Sequence, residues 1–199
     1  NLLDGSMLLS FPNRIPAAVR KEEEVPSPEV ALTDLIRGNE RFVNGTITSL
    51  RRDEKRRRET AGVQKPFAVV LSCSDSRTPP ELIFDQGLGD IVSIRVAGNV
   101  LGSAQVASIE DAIQNLGAKI ILVLGHESCS AVKAALEPPR RGSLAKSESP
   151  DLDWLVTSIR PNLKSRGIAS VQADDPKYRR PTIANIDAVT ENLVVRSRI

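Results

Sequence analysis

The sequence predicts an α/β fold, in which a mostly parallel central β-sheet is flanked by helices and preceded by an extended helical arm at the amino terminus. Three apolar runs of strand length, at residues 67–71, 91–96 and 119–124, alternate with segments whose apolar residues recur at helical spacing. A strand, a crossover helix and a second strand form a parallel pair through a right-handed connection. With 199 residues, the chain is long enough to bury one sizeable core.

Composition and charge exclude several classes of function. The formal net charge is +2 and hydrophobic residues make up 40% of the chain, so neither disorder nor a nucleic-acid partner is predicted. No apolar run approaches the roughly 20 residues that span a membrane. Two cysteines are too few for a disulfide framework, which favours the reducing cytoplasm and leaves an exported or organellar location open.

The chain begins with a predicted flexible arm over residues 1–26, which contains three prolines and an acidic run without a helical period. A domain of residues 27–199 follows. Its first helix starts at Ser27-Pro28-Glu29, where serine caps the helix, proline fits the first turn and the acidic side chain faces the positive end of the dipole. Gly45 can end this helix. The basic stretch 51–58 is interpreted as the solvated face of a helix rather than as a polyanion site.

The predicted sheet lies in the middle of the chain. After the first strand, a short helix opens at Thr78-Pro79-Pro80-Glu81. The turn-rich segment 85–90 lacks the third glycine of the G-x-G-x-x-G fingerprint, so a dinucleotide site is not predicted. The second strand leads through a turn to a helix over residues 103–116, which Gly117 closes. A third strand follows, and a new helix is predicted to begin near Ser128.

The carboxyl-terminal part is predicted to be mainly helical. Residues 137–151 are rich in proline, serine and charged residues and are predicted to form a surface loop. A helix is predicted over residues 152–163, which Pro161 weakens only at its end. Another helix is predicted over residues 182–199. Its apolar face is expected to comprise Ile183, Ile186, Val189 and Leu193.

The residues that carry chemistry are concentrated in two short stretches, Cys73-Ser74-Asp75-Ser76-Arg77 and His126-Glu127-Ser128-Cys129. Both cysteines and the single histidine of the chain fall in them. Each stretch follows an apolar strand, and the carboxyl ends of parallel strands meet at one edge of a sheet. His126 and Cys129 are three residues apart, so at the start of a helix both side chains face the same point. Two thiolates and an imidazole form the three-ligand set of a catalytic zinc site with one open position.

Asp75 and Arg77 alternate with Cys73 along the first stretch. In an extended segment their side chains lie on the same side of the backbone. Arg77 is then able to clamp Asp75 in a bidentate pair that keeps the carboxylate ionised, oriented and off the metal. Each of these residue types alone has a commonplace explanation, such as a small buried thiol or a loop ion pair. Their joint placement after buried strands favours the zinc site.

The combined motif resembles that of the β-class carbonic anhydrases. The two stretches are joined through Glu81-Leu82-Ile83-Phe84-Asp85 and Arg95-Val96-Ala97-Gly98-Asn99, and the resemblance covers residues 28–199. It implies a mostly parallel sheet flanked by helices and the reversible hydration of carbon dioxide to bicarbonate and a proton. It also implies a homodimer, often paired into a homotetramer, whose amino-terminal helices wrap a neighbouring subunit. The arm at residues 1–26 fits that arrangement.

The resemblance also assigns the site residues. It implies Zn2+ held by Cys73, His126 and Cys129, with water or hydroxide in the fourth position. It implies in addition an Asp75–Arg77 dyad that orients the zinc-bound hydroxide. In some members of the family, the matching aspartate binds zinc as a fourth ligand and closes the site.

Three departures from the family pattern bear on this assignment. Ser130 stands where the family usually has glycine after the second cysteine, which leaves the ligands intact. The chain stops at Ile199, before the last edge strand that the family normally carries, so the usual carboxyl-terminal edge strand is expected to be absent. The aromatic and tyrosine partners of the bicarbonate-inhibited subgroup are not evident, since the single tyrosine is Tyr178, and the open-site subgroup is therefore favoured.

Several other functions compete with carbon dioxide hydration. Hydrolysis of carbon disulfide or carbonyl sulfide would use the same zinc hydroxide and would differ in pocket access. Alcohol dehydrogenases also have a Cys-His-Cys zinc set, but the missing dinucleotide fingerprint argues against them. A non-catalytic zinc-binding scaffold would have no need of Asp75 and Arg77. A switchable disulfide between Cys73 and Cys129 would compete with the metal for the same thiols.

Overall fold

The computed structural model describes residues 25–48, 51–137, 149–170, 175 and 177–197. In this part of the chain, helices and strands follow one another in the predicted order. The helices are α1 (Pro28–Val43), α2 (Glu54–Thr60), α3 (Pro80–Ile83), α4 (Ser103–Gln114), α5 (Ser130–Leu136), α6 (Pro150–Lys164) and α7 (Arg179–Arg196). The strands are β1 (Ala68–Ser72), β2 (Ile91–Arg95) and β3 (Ile120–Leu124), and a short 3-10 helix (Ala97–Asn99) follows β2.

The three strands form one parallel sheet in the order β2-β1-β3. The central strand β1 is the most buried of the three, since each of its residues is buried, whereas β2 and β3 are partly buried. The register aligns Ser72 at the end of β1 with Arg95 of β2 and with Leu124 of β3. All three strands therefore deliver the chain to the same edge of the sheet, and the predicted α/β fold with a parallel sheet is confirmed.

Helices cover both faces of the sheet. Because side chains alternate along a strand, Val70 of β1 packs with α1 and α3 on one face, and Leu71 packs with α4 and α7 on the other. Full burial of an aliphatic side chain of this size stabilises the fold by about 1.5–3 kcal/mol. A third apolar cluster joins α5 and α6 and includes the side chains of Cys73 and Cys129. The predicted site thus lies where this cluster meets the sheet edge.

The basic stretch 51–58 is less free than the sequence indicates. None of the residues of α2 is buried, as the solvated-face interpretation expects. However, Arg51 and Arg56 form ion pairs of 2.9 and 3.2 Å with the buried carboxylate of Asp90. Arg52 donates hydrogen bonds to the carbonyl groups of residues 81 and 86. Half of the basic side chains therefore tie this segment to the loop after α3.

Several helix boundaries and part of one helix face differ from the prediction. Helix α4 ends at Gln114, two residues before the expected end, and α6 begins at Pro150, two residues before the expected start. Helix α5 begins at Ser130 rather than near Ser128, and α7 begins at Arg179, three residues earlier than expected. Ile183 was expected on the apolar face of α7, but 40% of its surface is exposed. Val189 and Leu193 are buried as predicted. The buried face also contains small and polar residues near the start of α7, because the helix packs closely against Gly125, whose added Cβ would lie 2.7 Å from Ile186.

Some predictions concern residues outside the described part. The predicted flexible arm falls mostly on residues 1–24 and the predicted surface loop mostly on residues 138–148. For those residues both stay predictions. The last helix was predicted to continue to residue 199, but it ends at Arg196, and the next residue, Ser197, has an extended backbone. None of the helices in the described ranges combines the length and the apolar character that a membrane-crossing helix needs.

Candidate metal centre

The structure brings Cys73, His126 and Cys129 together at the carboxyl edge of the sheet. Cys73 directly follows β1, His126 lies two residues beyond β3, and Cys129 is the residue before α5. All three side chains are buried, and their ligand atoms lie within 4.8 Å of one another. The two sulfur atoms are 3.9 Å apart, and both cysteines are free thiols. The parallel register of β1 and β3 is the reason why residues more than fifty positions apart in sequence meet here.

The donor set fits a zinc ion. Tetrahedral coordination with Zn–S bonds of about 2.3 Å places two sulfur atoms about 3.8 Å apart, close to the separation of Cys73 and Cys129. The Nδ1 atom of His126 lies 2.9 Å from the carbonyl oxygen of Glu127. Because a carbonyl oxygen can only accept a hydrogen bond, Nδ1 is the donor and carries the proton. The Nε2 atom then presents a lone pair, and it is buried without a hydrogen-bond partner among the described residues. A metal ion would satisfy it.

The ionisations of the two thiols and of His126 are coupled, because the three groups lie in contact. The hydrogen bond with Cys129 lowers the pKa of Cys73, and the same contact raises the pKa of Cys129. The pair therefore holds one negative charge, since burial opposes a second. Burial also works against a charged His126, but the adjacent Cys73 and the charge of Asp75 outweigh it and raise its pKa. A bound divalent metal would deprotonate both thiols.

The segment from His126 to Cys129 is a turn and not the first turn of a helix. Ser128 has a φ of 57°, in the left-handed region, and its N–H donates to the carbonyl of Lys177 at 2.7 Å. The hydroxyl of Thr182 donates to the carbonyl of His126 at 3.4 Å. The spacing of three residues does bring the imidazole and the thiol together, as predicted. However, the contacts with Lys177 and Thr182 hold them there, and helical geometry does not.

Asp75 and Arg77 form a bidentate ion pair beside the three ligands. The Nε and Nη2 atoms of Arg77 donate to the two carboxylate oxygens of Asp75 at 2.8 and 2.7 Å. This guanidinium holds the pKa of Asp75 well below its usual range, so the carboxylate is ionised at every pH of interest. The Oδ2 atom of Asp75 lies 3.8 Å from Nε2 of His126. The carboxylate is therefore next to the ligand cluster and is oriented by Arg77.

Three further residues contact the site, and none of them was assigned a role in the sequence analysis. The guanidinium of Arg95 donates to the carbonyls of Cys73, at 3.2 Å, and of Asp75. The N–H of Gly98 donates to the sulfur of Cys73 at 3.4 Å. Arg95 and Gly98 belong to a stretch that was part of the family resemblance. That resemblance was the sequence signal from which their place near the site could have been predicted. Asn185, which binds the carbonyl of Gly98, lies in a helix that was predicted from its apolar residues.

Comparison with known proteins identifies a family. The sequence profile described as Carbonic anhydrase matches residues 68–199. Carbonic anhydrase 2 of Mycobacterium tuberculosis is 38% identical over 161 residues, which cover 79% of this chain and 76% of that protein.

Two solved structures have similar folds. One is a tetrameric β-carbonic anhydrase of the ascomycete Sordaria macrospora, with 26% identity and a TM-score of 0.58 over 71% of this chain and 70% of that chain. The other is the β-carbonic anhydrase of Coccomyxa in complex with acetazolamide, with 24% identity, a TM-score of 0.63 and coverage of 84% and 73%. These comparisons do not favour the competing functions considered from the sequence. The resemblance drawn from the motifs is confirmed, and the chain belongs to the β-class carbonic anhydrase family.

Proposed function

We propose that this protein catalyses the reversible hydration of carbon dioxide to bicarbonate and a proton, at a zinc ion held by Cys73, His126 and Cys129. The observation that carries the proposal is the convergence of three buried donor atoms within 4.8 Å. The tautomer of His126 also supports it. Its Nε2 atom carries no proton and has no hydrogen-bond partner among the described residues, so its lone pair is available to a metal. Membership of the carbonic anhydrase family supports the choice of carbon dioxide as substrate.

The ligands determine how the centre would work. When bound, zinc supplies a nucleophile near neutral pH by lowering the pKa of a water molecule that attacks carbon dioxide. The thiolates of Cys73 and Cys129 contribute two negative charges, which offset the charge of the cation. The apolar cluster around both sulfurs keeps water away from them, so the ligands stay on the metal.

Asp75 would orient the attacking oxygen. An ionised carboxylate is an acceptor only, and both of its oxygens already accept from Arg77. Oδ1 also accepts from the backbone N–H of Arg77, whereas Oδ2 keeps a further lone pair and lies beside the ligand cluster. With zinc bound, Asp75 would accept a hydrogen bond from an O–H group of the attacking water and so would hold that oxygen in place. Because Arg77 occupies the carboxylate, we propose that Asp75 stays off the metal and that the site is open.

The proton produced by the reaction must leave without a histidine shuttle. The single histidine of the chain is assigned as a ligand. Asp75 is a poor proton acceptor, because the hydrogen bonds from Arg77 lower its pKa. We therefore propose that the proton passes through water to the external buffer.

The experiment that tests the proposed function measures zinc content and stopped-flow carbon dioxide hydration on one sample. We expect about one zinc per chain, as in a catalytic site with three protein ligands, together with a hydration rate that a chelator abolishes and added zinc restores. Cys129→Ser should lose both the metal and the rate. A sample with full zinc content that hydrates carbon dioxide no faster than buffer would rule out the enzyme and leave a zinc-binding scaffold.

We further propose that the protein forms a homodimer or homotetramer. Support comes from the Sordaria macrospora structure, which is described as tetrameric. The end of α7 also exposes Val194 and Val195, at 75% and 84% of their surfaces. Light scattering coupled to size-exclusion chromatography tests this proposal, and the mass of a single chain would contradict it. A cytoplasmic location remains a prediction from the two reduced thiols.

A further inference from the structure

Helix α7 contacts one ligand stretch of the candidate metal centre directly and is linked to the other through Gly98. Thr182 reaches the carbonyl of His126, and Asn185, one turn later on the same face, reaches the carbonyl of Gly98. Gly98 in turn donates its N–H to the sulfur of Cys73. A single helix far along the chain is thus linked to the imidazole ligand and to one of the two thiol ligands.

Asn185 is a fully buried amide whose hydrogen bonds fix its orientation. Its Oδ1 atom accepts from Nδ2 of Asn162 on α6 at 2.9 Å, and its Nδ2 atom donates to the carbonyl of Gly98 at 2.9 Å. Because the oxygen is occupied by a donor, the NH2 group must face Gly98. Burying an amide is unfavourable unless it is paired, so this side chain has one arrangement that the core tolerates.

Gly98 can hold its N–H on the sulfur only in an unusual backbone conformation. Its φ is 63°, in the left-handed region, and an added Cβ would lie 2.5 Å from Cδ1 of Ile159 and 3.1 Å from Cβ of Ala131. Glycine is therefore required at this position. Glycine also has the greatest backbone freedom of all residues. A contact from another part of the chain is therefore needed to keep the Gly98 N–H directed at Cys73. The hydrogen bond from Asn185 to the Gly98 carbonyl is such a contact.

We propose that Asn185 is a positioning residue for the metal centre, which acts through Gly98 to hold an N–H group against the sulfur of Cys73. The inference rests on the proposed zinc site. A hydrogen bond to a thiolate stabilises its negative charge and orients a sulfur lone pair toward the metal. Loss of the amide leaves the Gly98 carbonyl buried without its partner, and the turn rotates to find another one. The N–H then moves away from Cys73.

The test compares Asn185→Leu with a variant of matched location and no link to the site. Leucine has a similar volume and cannot hydrogen-bond, whereas Val189→Ala removes buried apolar atoms from the same helix one turn later. Zinc affinity is measured by competition with a chromophoric chelator. We expect the dissociation constant for zinc to rise by about 10- to 100-fold in Asn185→Leu, as for other residues that support metal ligands, and to stay at the wild-type value in Val189→Ala.

A second readout separates positioning from general stability. The cobalt-substituted protein has a sulfur-to-cobalt charge-transfer band whose energy reports the charge on the thiolates. We expect this band to shift in Asn185→Leu and to be unchanged in Val189→Ala. If Asn185→Leu does not fold, Asn162→Ala replaces it, since that change frees the Asn185 amide to rotate, and it should raise the dissociation constant by a smaller factor.

The outcomes distinguish this inference from the proposed function. The role of Asn185 would be overturned, and the zinc site left intact, if the folded Asn185→Leu variant had wild-type zinc affinity and a wild-type cobalt spectrum. The same result in Asn162→Ala would have this meaning if Asn185→Leu does not fold. Equal weakening in Asn185→Leu and Val189→Ala would reduce that role to stability. Failure of the wild-type protein to bind zinc would remove the proposed function itself.

Discussion

Replacement of Asp75 by asparagine should lower turnover without releasing zinc. The carboxylate accepts three hydrogen bonds from Arg77, two from the guanidinium and one from the backbone N–H. Asparagine has the same shape, but it carries no charge and its Nδ2 atom cannot accept from the attacking water. A hydrogen bond to a charged group is worth about 1.5–3 kcal/mol. The loss of one such bond in the transition state corresponds to a decrease in kcat of about 10- to 150-fold.

The assay is stopped-flow hydration with zinc determined on the same sample. Cys73→Ser is the contrasting variant, because a serine hydroxyl stays protonated and the metal is lost with the ligand. Asp111→Asn is the matched control, since it makes the same chemical change at an exposed carboxylate on α4. Wild-type kcat in Asp75→Asn would refute the orienting role. Zinc loss equal to that of Cys73→Ser would instead make Asp75 a structural ligand.

Three other predictions concern the proton, the pH profile and the core. Turnover should increase with the concentration of an imidazole-type buffer, because no free histidine is available, and a rate independent of buffer would reveal an internal relay. Initial hydration rates should rise on the alkaline side of neutrality. Zinc held by three imidazoles lowers the pKa of its bound water to about 7, and two thiolates should lower that pKa less. A pH profile that is flat or favours acid would contradict this prediction. Leu71→Ala, at a fully buried position of β1, should lower the free energy of unfolding by about 2–5 kcal/mol in urea, whereas Val63→Ala, at an exposed position, should change it little.

The approach of Cys73 to His126 was predictable because it depends on strand order. Apolar runs identified β1 and β3, and Cys73 and His126 each follow such a run closely. Once the strands are parallel neighbours, their ends lie at one edge. The spacing of Asp75 and Arg77 was informative for the same reason, since it describes contacts made within a few residues.

The conformation of the turn between His126 and Cys129 could not be predicted, because distant residues determine it. Nothing local marks Ser128 as left-handed, and its conformation is stabilised by a hydrogen bond to Lys177, almost fifty residues later. A helix start was the reasonable local interpretation of the three-residue spacing. The long-range contact overrides it and moves the start of α5 to Ser130.

Long-range pairing also explains the errors in the charged and amphipathic segments. Arg51 and Arg56 look solvated in sequence, but the partner that they share, Asp90, lies beyond β1 and α3. In α7, apolar periodicity placed Ile183 inside, whereas the helix buries Thr182 against His126 and Asn185 against Gly98. A buried polar residue is indistinguishable from a surface one until its partners are known, and for Asn185 these are on α6 and in the turn after β2.

Zinc-edge X-ray absorption of the purified protein is the most direct measurement of the central claim, that two strand ends and one turn assemble a single metal site. We predict two sulfur neighbours at about 2.3 Å and one imidazole nitrogen at about 2.0–2.1 Å from each zinc, with both sulfur neighbours lost in the Cys73→Ser, Cys129→Ser double variant. A zinc ion without sulfur neighbours in the wild-type protein, or with the same neighbours in the double variant, would contradict the claim.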